Sequence, residues 1–296
     1  MNTKDIGALF ALTALWGASF LFIRIASPAI GPLLTIQGRV SIAAIALLIY
    51  MLMIGQSTQL KKRWKQYLII GALNAAIPFT LIAFAALHLN ASMSAIINSM
   101  TPLFTALVVW GWMKEKMNKK KWLGILTGIS GVIILVGWSP IPLTSEVVMA
   151  IILSVLSTVA YSFAGVYAKQ SFSGVPPLSV AYGQQLSAAL LLIPFTLFNL
   201  PESTSDISPF AAFSVLGLAL LCTAVAYLLY FYLIESVGPT KTLSVTFLIP
   251  LFGMVWGAVF LNEQVTAGML VGLIVILSSI FLILDIQILR VAKKTA

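Results

Sequence analysis

Charge is what this 296-residue sequence has least of: charged side chains make up 8% of it, with eight acids in all, one histidine (His88) and one cysteine (Cys222). Each shortage excludes something. One cysteine forbids a disulfide framework within the chain, and its place inside an apolar run makes it a small core thiol. Scattered acids and a lone histidine supply neither a carboxylate cluster for a metal nor a nucleophile with its base, so no catalytic residue, metal site or cofactor is expected and a membrane-embedded enzyme is disfavoured. Hydrophobic residues make up 60% of the chain, a share no soluble domain tolerates on its surface, so the chain reads as an all-α integral membrane protein. The formal charge of +9 sits in short clusters between apolar runs, which argues for basic loops at a lipid bilayer and against a nucleic-acid partner. The first apolar run, near Ile6 to Ala26, is too long for a signal-peptide core and has no small-residue cleavage pattern after it, so it is expected to stay as a helix.

What is present is apolar length. A hydrocarbon core about 30 Å thick needs roughly 20 apolar residues per helix. Ten such runs occur, near 6–26, 32–54, 66–88, 92–113, 120–138, 146–168, 177–198, 210–234, 240–261 and 266–288, with proline, glycine and polar residues at the breaks. If the N-terminus is cytoplasmic, 15 of the 17 lysines and arginines fall on the cytoplasmic side, and the other two, Arg24 and Arg39, lie within spans. That asymmetry predicts ten spans with both termini cytoplasmic.

The chain also repeats itself. Pro102-Leu103-Phe104 opens a run closing on Glu115, and Pro250-Leu251-Phe252 opens another closing on Glu263, an offset of 148 residues. Trp16 and Tyr161, Arg24 and Lys169, and Arg39 and Gln184 pair at an offset of 145. This divides the chain into halves, 1–138 and 139–296, of five spans each. Because five is odd, the halves enter the membrane from opposite sides, an inverted repeat suited to exposing a midplane site alternately to each side.

Trp16-Gly17-Ala18-Ser19-Phe20, Arg39, the Pro102-Leu103-Phe104 to Glu115 motif, Gly124, Gly131-Val132 and the second-half Pro250-Leu251-Phe252, Glu263 and Gly272 together resemble the drug/metabolite transporter superfamily, in its ten-span branch with two EamA domains. The resemblance implies a five-plus-five repeat around a central cavity that moves small metabolites, commonly outward, with exporters of amino acids and related compounds among the similar members. Two departures stand out. Tyr161-Ser162 replaces Trp-Gly, and Ser279 replaces the glycine expected opposite Gly131.

Polar residues in hydrocarbon are costly unless paired or facing water, which makes them candidates for a substrate cavity. Asn98, Thr101 and Thr105 share one helical face beside Pro102, and Thr246 is the repeat partner of Asn98. Pro102 and Pro250 each remove a backbone hydrogen bond and are expected to kink their helices. Tyr227 and Tyr230 present an apolar face with a polar tip, and Asn74 lies on the third span, whose Phe79 is the repeat partner of Tyr227. The alternative for the tyrosines is a lipid-facing or core aromatic. Trp16 and Tyr161 are expected to stack on or cap a substrate, or else to pack against a neighbouring helix. Arg39, about 10 Å into its span, is expected to bind a substrate carboxylate or to serve as a structural tie. Glu115 and Glu263 mark opposite mouths and are candidates for gates, or else solvated acids. Gly124-x-x-x-Gly128 and Gly268-x-x-x-Gly272 permit close helix approach, within the fold or in a dimer; a monomer or weak homodimer is expected. One deep cation does not balance a multiply charged phosphate, so the expected substrate is neutral, zwitterionic or singly charged. The leading expectation is therefore an exporter of amino acids or related amphipathic compounds in the cytoplasmic (inner) membrane. An importer or exchanger of a sugar, a nucleotide-sugar-like solute or a cationic drug is the alternative.

Overall fold

The computed structural model describes residues 2–200, 208–242 and 244–283, and among these there is no strand. Eight helices are long and apolar enough to cross a membrane: α1 Thr3–Ile30, α2 Pro32–Met53, α3 Leu60–Ala85, α4 Ala91–Met113, α5 Lys119–Gly137, α6 Ser145–Ser171, α7 Pro177–Leu197 and α8 Pro209–Val237. Two shorter apolar helices, α9 Val245–Leu261 and α10 Ala267–Ile283, fall on the last two apolar runs. Each has 17 described residues, about 25 Å of helix at 1.5 Å per residue. One boundary differs from expectation: α3 begins at Leu60, so Lys61, Lys62, Arg63 and Lys65 lie in helical turns and not in a loop, with a kink at Arg63 (φ −130°, ψ 24°). Lysine and arginine are good helix formers, so a span can run past the bilayer into water.

The starts and stops follow local chemistry. Asn2, Asn90, Asn118, Thr144 and Ser208 each accept a hydrogen bond from a backbone N–H in the first turn of the helix they precede. Proline stands in the first turn of α2, α7 and α8, where its missing N–H has no intrahelical partner to lose. At their other ends, α4 stops at Lys114 (φ 57°) and α9 at Asn262 (φ 53°), both left-handed. Those two residues are partners at the 148-residue offset. Asparagine is at home in that conformation, whereas lysine adopts it less readily.

The principal packing partners come in matched sets. α2 lies against α7, α4 against α9 and α5 against α10, while α1 packs on α8 and α9 as α6 packs on α3 and α4. Exchanging each helix for the one five places along leaves this scheme unchanged. The α5–α10 seam is a close approach along several turns: a Cβ on Gly124 would stand 2.9 Å from the Ser279 carbonyl oxygen, one on Gly131 3.0 Å from the Ile276 nitrogen, and one on Gly272 3.0 Å from the Gly131 carbonyl oxygen. The small-residue spacings noted in the sequence thus serve contacts within the chain, where only glycine lets the backbones meet.

Candidate functional site

Between these helices lies a cavity of about 560 Å³, walled chiefly by α1, α2, α3, α4, α6, α8 and α9, with Lys121 of α5 and Ile283 of α10 at its margin. Its volume suits a small metabolite. All nine residues expected to meet a substrate line it: Trp16, Arg39, Asn74, Asn98, Thr101, Tyr161, Tyr227, Tyr230 and Thr246. Pro102 and Pro250 are also on the wall, and Glu115 stands with Lys116 and Lys121 where the cavity reaches exposed residues. Glu263 is elsewhere, at the far end.

The first proline interrupts its helix. α4 is helical over Ala91–Asn98 and Thr101–Met113, with a turn at Ser99 and Met100. Pro102 has no N–H for the Asn98 carbonyl, and the Thr101 hydroxyl donates to that oxygen instead at 2.8 Å. The Thr101 carbonyl in turn accepts from Ser162 at 3.0 Å and Thr105 at 2.9 Å, so Ser162, one of the departures from the family pattern, ties α6 to the break. The carbonyl freed by Pro102 is thus satisfied by the protein itself. Pro250 behaves differently. α9 runs without interruption from Val245 to Leu261 and Pro250 is buried inside it, so the break found at Pro102 has no counterpart there. Pro250 is the sixth residue of the helix, so it removes the bond that residue 250 would make to residue 246, and the helix carries that loss without breaking.

Two π-helical segments shape the opposite wall. Ala72–Ala76 in α3 and Gly217–Val225 in α8 overlap at the 148-residue offset, and each presents one residue to the cavity, Asn74 and Cys222. A π turn widens the hydrogen-bond ring and leaves a carbonyl open to other donors. The Leu218 carbonyl takes the Thr223 hydroxyl at 2.7 Å. Thr223 then accepts from the Nε of Arg39 at 3.0 Å, while the Arg39 guanidinium carbon lies 3.6 Å from the Phe79 ring centroid. Arg39 is 5% exposed, and this is its one hydrogen bond among the described residues. Its structural tie is therefore made through Nε alone, leaving the terminal nitrogens to face the cavity. A second polar chain runs from Asn74, which donates to Gln184 at 2.8 Å, to Tyr227, which accepts from Gln184. The repeat partner of Arg39 is thus a neutral brace behind the wall.

Aromatic rings fill the space around these groups. Trp16 lies 5.4 Å from Tyr230 and 6.5 Å from Tyr227 between centroids, and Phe79 lies 6.3 Å from Tyr161. At the far end Glu263 accepts from the backbone N–H of Ala91 (2.7 Å) and Ser92 (3.0 Å) and from the Ser92 hydroxyl (2.5 Å), joining α9 to the first turn of α4. A carboxylate on a helix N-terminus meets orphan donors and the positive end of the helix dipole. Arg24 donates from Nη1 to the Ala86 carbonyl at 2.6 Å, a link from α1 to the chain just past α3. Among the described residues, no three histidine, cysteine, aspartate or glutamate side chains are placed to hold a metal.

Sequence reasoning missed the roles of Thr223 and Cys222. Both sit in an apolar stretch where nothing local marks a π turn or a partner 184 residues away. Phe79 was recognisable only as the repeat partner of Tyr227.

An apolar helix bundle around a small-molecule cavity, with both halves of the chain in its wall, defines a multi-pass membrane carrier. More particularly, the chain belongs to the EamA-like transporter family, whose pattern matches residues 5–137 and again 148–285. It is 28% identical to the uncharacterized transporter YvbV of Bacillus subtilis (strain 168), over 95% of this chain and 92% of that one. It is 25% identical to the protein PecM of Dickeya dadantii (strain 3937), over 99% and 96%, and 27% identical to the uncharacterized inner membrane transporter YedA of Escherichia coli (strain K12), over 85% and 81%. A solved crystal structure aligns over 100% of this chain and 99% of its own with a TM-score of 0.68 at 16% identity, a likeness of fold.

Proposed function

We propose that this transporter works by alternating access through an inverted repeat of ten spans, with both termini cytoplasmic, and exports amino acids or related small amphipathic compounds across the cytoplasmic membrane. The observation that carries the reading is the contrast between two repeat-related glutamates. Glu263 accepts hydrogen bonds from the start of α4 and so joins α9 to it, while Glu115, its partner at the 148-residue offset, lines the cavity and is exposed beside Lys116. One chain with a repeat in opposed orientations can convert this state into its converse by letting the halves exchange conformations. Glu263 and Glu115 are then the gates of the two mouths. The lysine-rich open mouth is the cytoplasmic one by the distribution of basic residues, so this conformation loads from inside.

The matched helix pairings support the inverted repeat, and a cavity enclosed within one chain supports a monomer as the working unit. Outward movement is taken from the resemblance to exporters. Trp16, Arg39, Asn74, Asn98, Thr101, Tyr161, Tyr227, Tyr230 and Thr246 form the substrate wall in this reading. Purified protein in liposomes, given a panel of radiolabelled amino acids, sugars and organic cations with and without a pH gradient, should move amino acids. Clear flux of a sugar phosphate or a cation with no amino acid flux would overturn the substrate class.

A further inference from the structure

We infer that the cavity selects its substrate by a carboxylate and an apolar body and does not require an ammonium group, so that 2-hydroxy acids with aromatic side chains are substrates alongside the corresponding amino acids. The inference rests on the cavity being the substrate site and goes on to specify the chemistry it reads. Arg39 provides the first argument. Its Nε is held by Thr223 and its plane by the face of Phe79, which fixes the guanidinium while the terminal nitrogens, with no hydrogen-bond partner among the described residues, remain on the cavity side. A guanidinium so held presents the two parallel donors that a carboxylate accepts.

The acids provide the second argument. The cavity wall carries three cations, Arg39, Lys116 and Lys121, against one acid, and that acid is the exposed Glu115 at the mouth. No described carboxylate stands in the depth to pair with a substrate ammonium, and a bare amine would be brought toward Arg39 uncompensated. What the wall does offer is a neutral acceptor. The Oδ1 of Asn98, a wall residue, is buried without a hydrogen-bond partner among the described residues and is not itself open to the cavity; a turn of the amide brings it to a substrate, and a neutral carbonyl oxygen accepts from an O–H as readily as from an N–H. The aromatic rings around Arg39 accommodate the apolar body.

The test uses three probes that share one side chain: L-phenylalanine, L-3-phenyllactate and phenethylamine. Their binding to the purified full-length protein is read by thermal stabilisation in detergent and by flux in liposomes. Phenylalanine and phenyllactate should bind within about threefold of each other, and phenethylamine at least about tenfold more weakly, the loss expected for one charge-assisted contact. Arg39→Gln, which installs the residue found at the repeat-equivalent Gln184, should weaken both acids by about tenfold or more and erase their advantage over the amine. If that variant does not fold, the wild-type series decides alone. Phenethylamine binding as well as phenyllactate, or phenylalanine binding without phenyllactate, overturns the inference and leaves amino acid export standing. Binding of both acids with no flux of either supports the inference and overturns the transport reading.

Discussion

Arg39 shows how a residue too costly for hydrocarbon becomes tolerable. Its charge is met by a hydroxyl and an aromatic face, and the hydroxyl is available because Thr223 sits in a π turn whose open carbonyl orients it. Removing that hydroxyl leaves a buried donor unpaired, a loss of about 1–3 kcal/mol. Thr223→Val should therefore lower the thermal stability of the detergent-purified protein and Thr223→Ser should restore it; equal melting temperatures for all three would show that the tie is idle. On the cavity wall Asn98→Ala on α4 and Tyr227→Ala on α8 should each reduce flux in liposomes while leaving the protein folded and monodisperse. Wild-type kinetics in both would remove these two residues from the substrate path.

Among elements, the α5–α10 seam and the Glu263 latch carry distinct predictions. In the seam, a side chain at Gly131 would meet Ile276 and the Gly272 carbonyl, whereas Gly165 on α6 has nothing within 4 Å of its would-be Cβ. Gly131→Leu should abolish folded, monodisperse protein and Gly165→Leu should be tolerated, as size-exclusion profiles would report; equal tolerance would put the close packing in doubt. At the latch, Gly257 makes room: a Cβ there would stand 2.3 Å from the Glu263 carboxylate and 2.7 Å from the Ser92 hydroxyl. The repeat partner of Gly257 is Val109, on the cavity wall near the Glu115 mouth. The room that Gly257 leaves beside Glu263 therefore has no counterpart in the side chain at position 109. Gly257→Val should open that end, read as faster labelling from the α4 start side by a membrane-impermeant thiol reagent of Thr105→Cys in a Cys222→Ser background. An unchanged labelling rate would contradict the latch.

The whole molecule shows what a sequence can and cannot disclose about such a carrier. Apolar runs announced the helices, and polar residues inside them announced the wall, because hydrocarbon leaves few other places for Asn74, Asn98 or Arg39 to go. Pro102 announced the break in α4. Pro250, in the same motif, lies inside an unbroken helix, and nothing in the motif itself tells the two prolines apart. The π turns were invisible, since a shift from one carbonyl to the next leaves no composition behind. So was the difference between Glu115 and Glu263: their motifs are alike, yet one lines the cavity and the other is held by the first turn of α4.

Alternating access requires that difference to be reversible. Spin labels at His88 and Gln264 would report the end sealed by Glu263, and labels at Lys116 and Lys241 the end bearing Glu115, all at exposed positions. In the Cys222→Ser protein in liposomes, pulsed electron–electron distance measurements should find that Glu263→Ala lengthens the first pair and shortens the second. Both distances unchanged, or both lengthening together, would contradict a carrier that opens one mouth by closing the other.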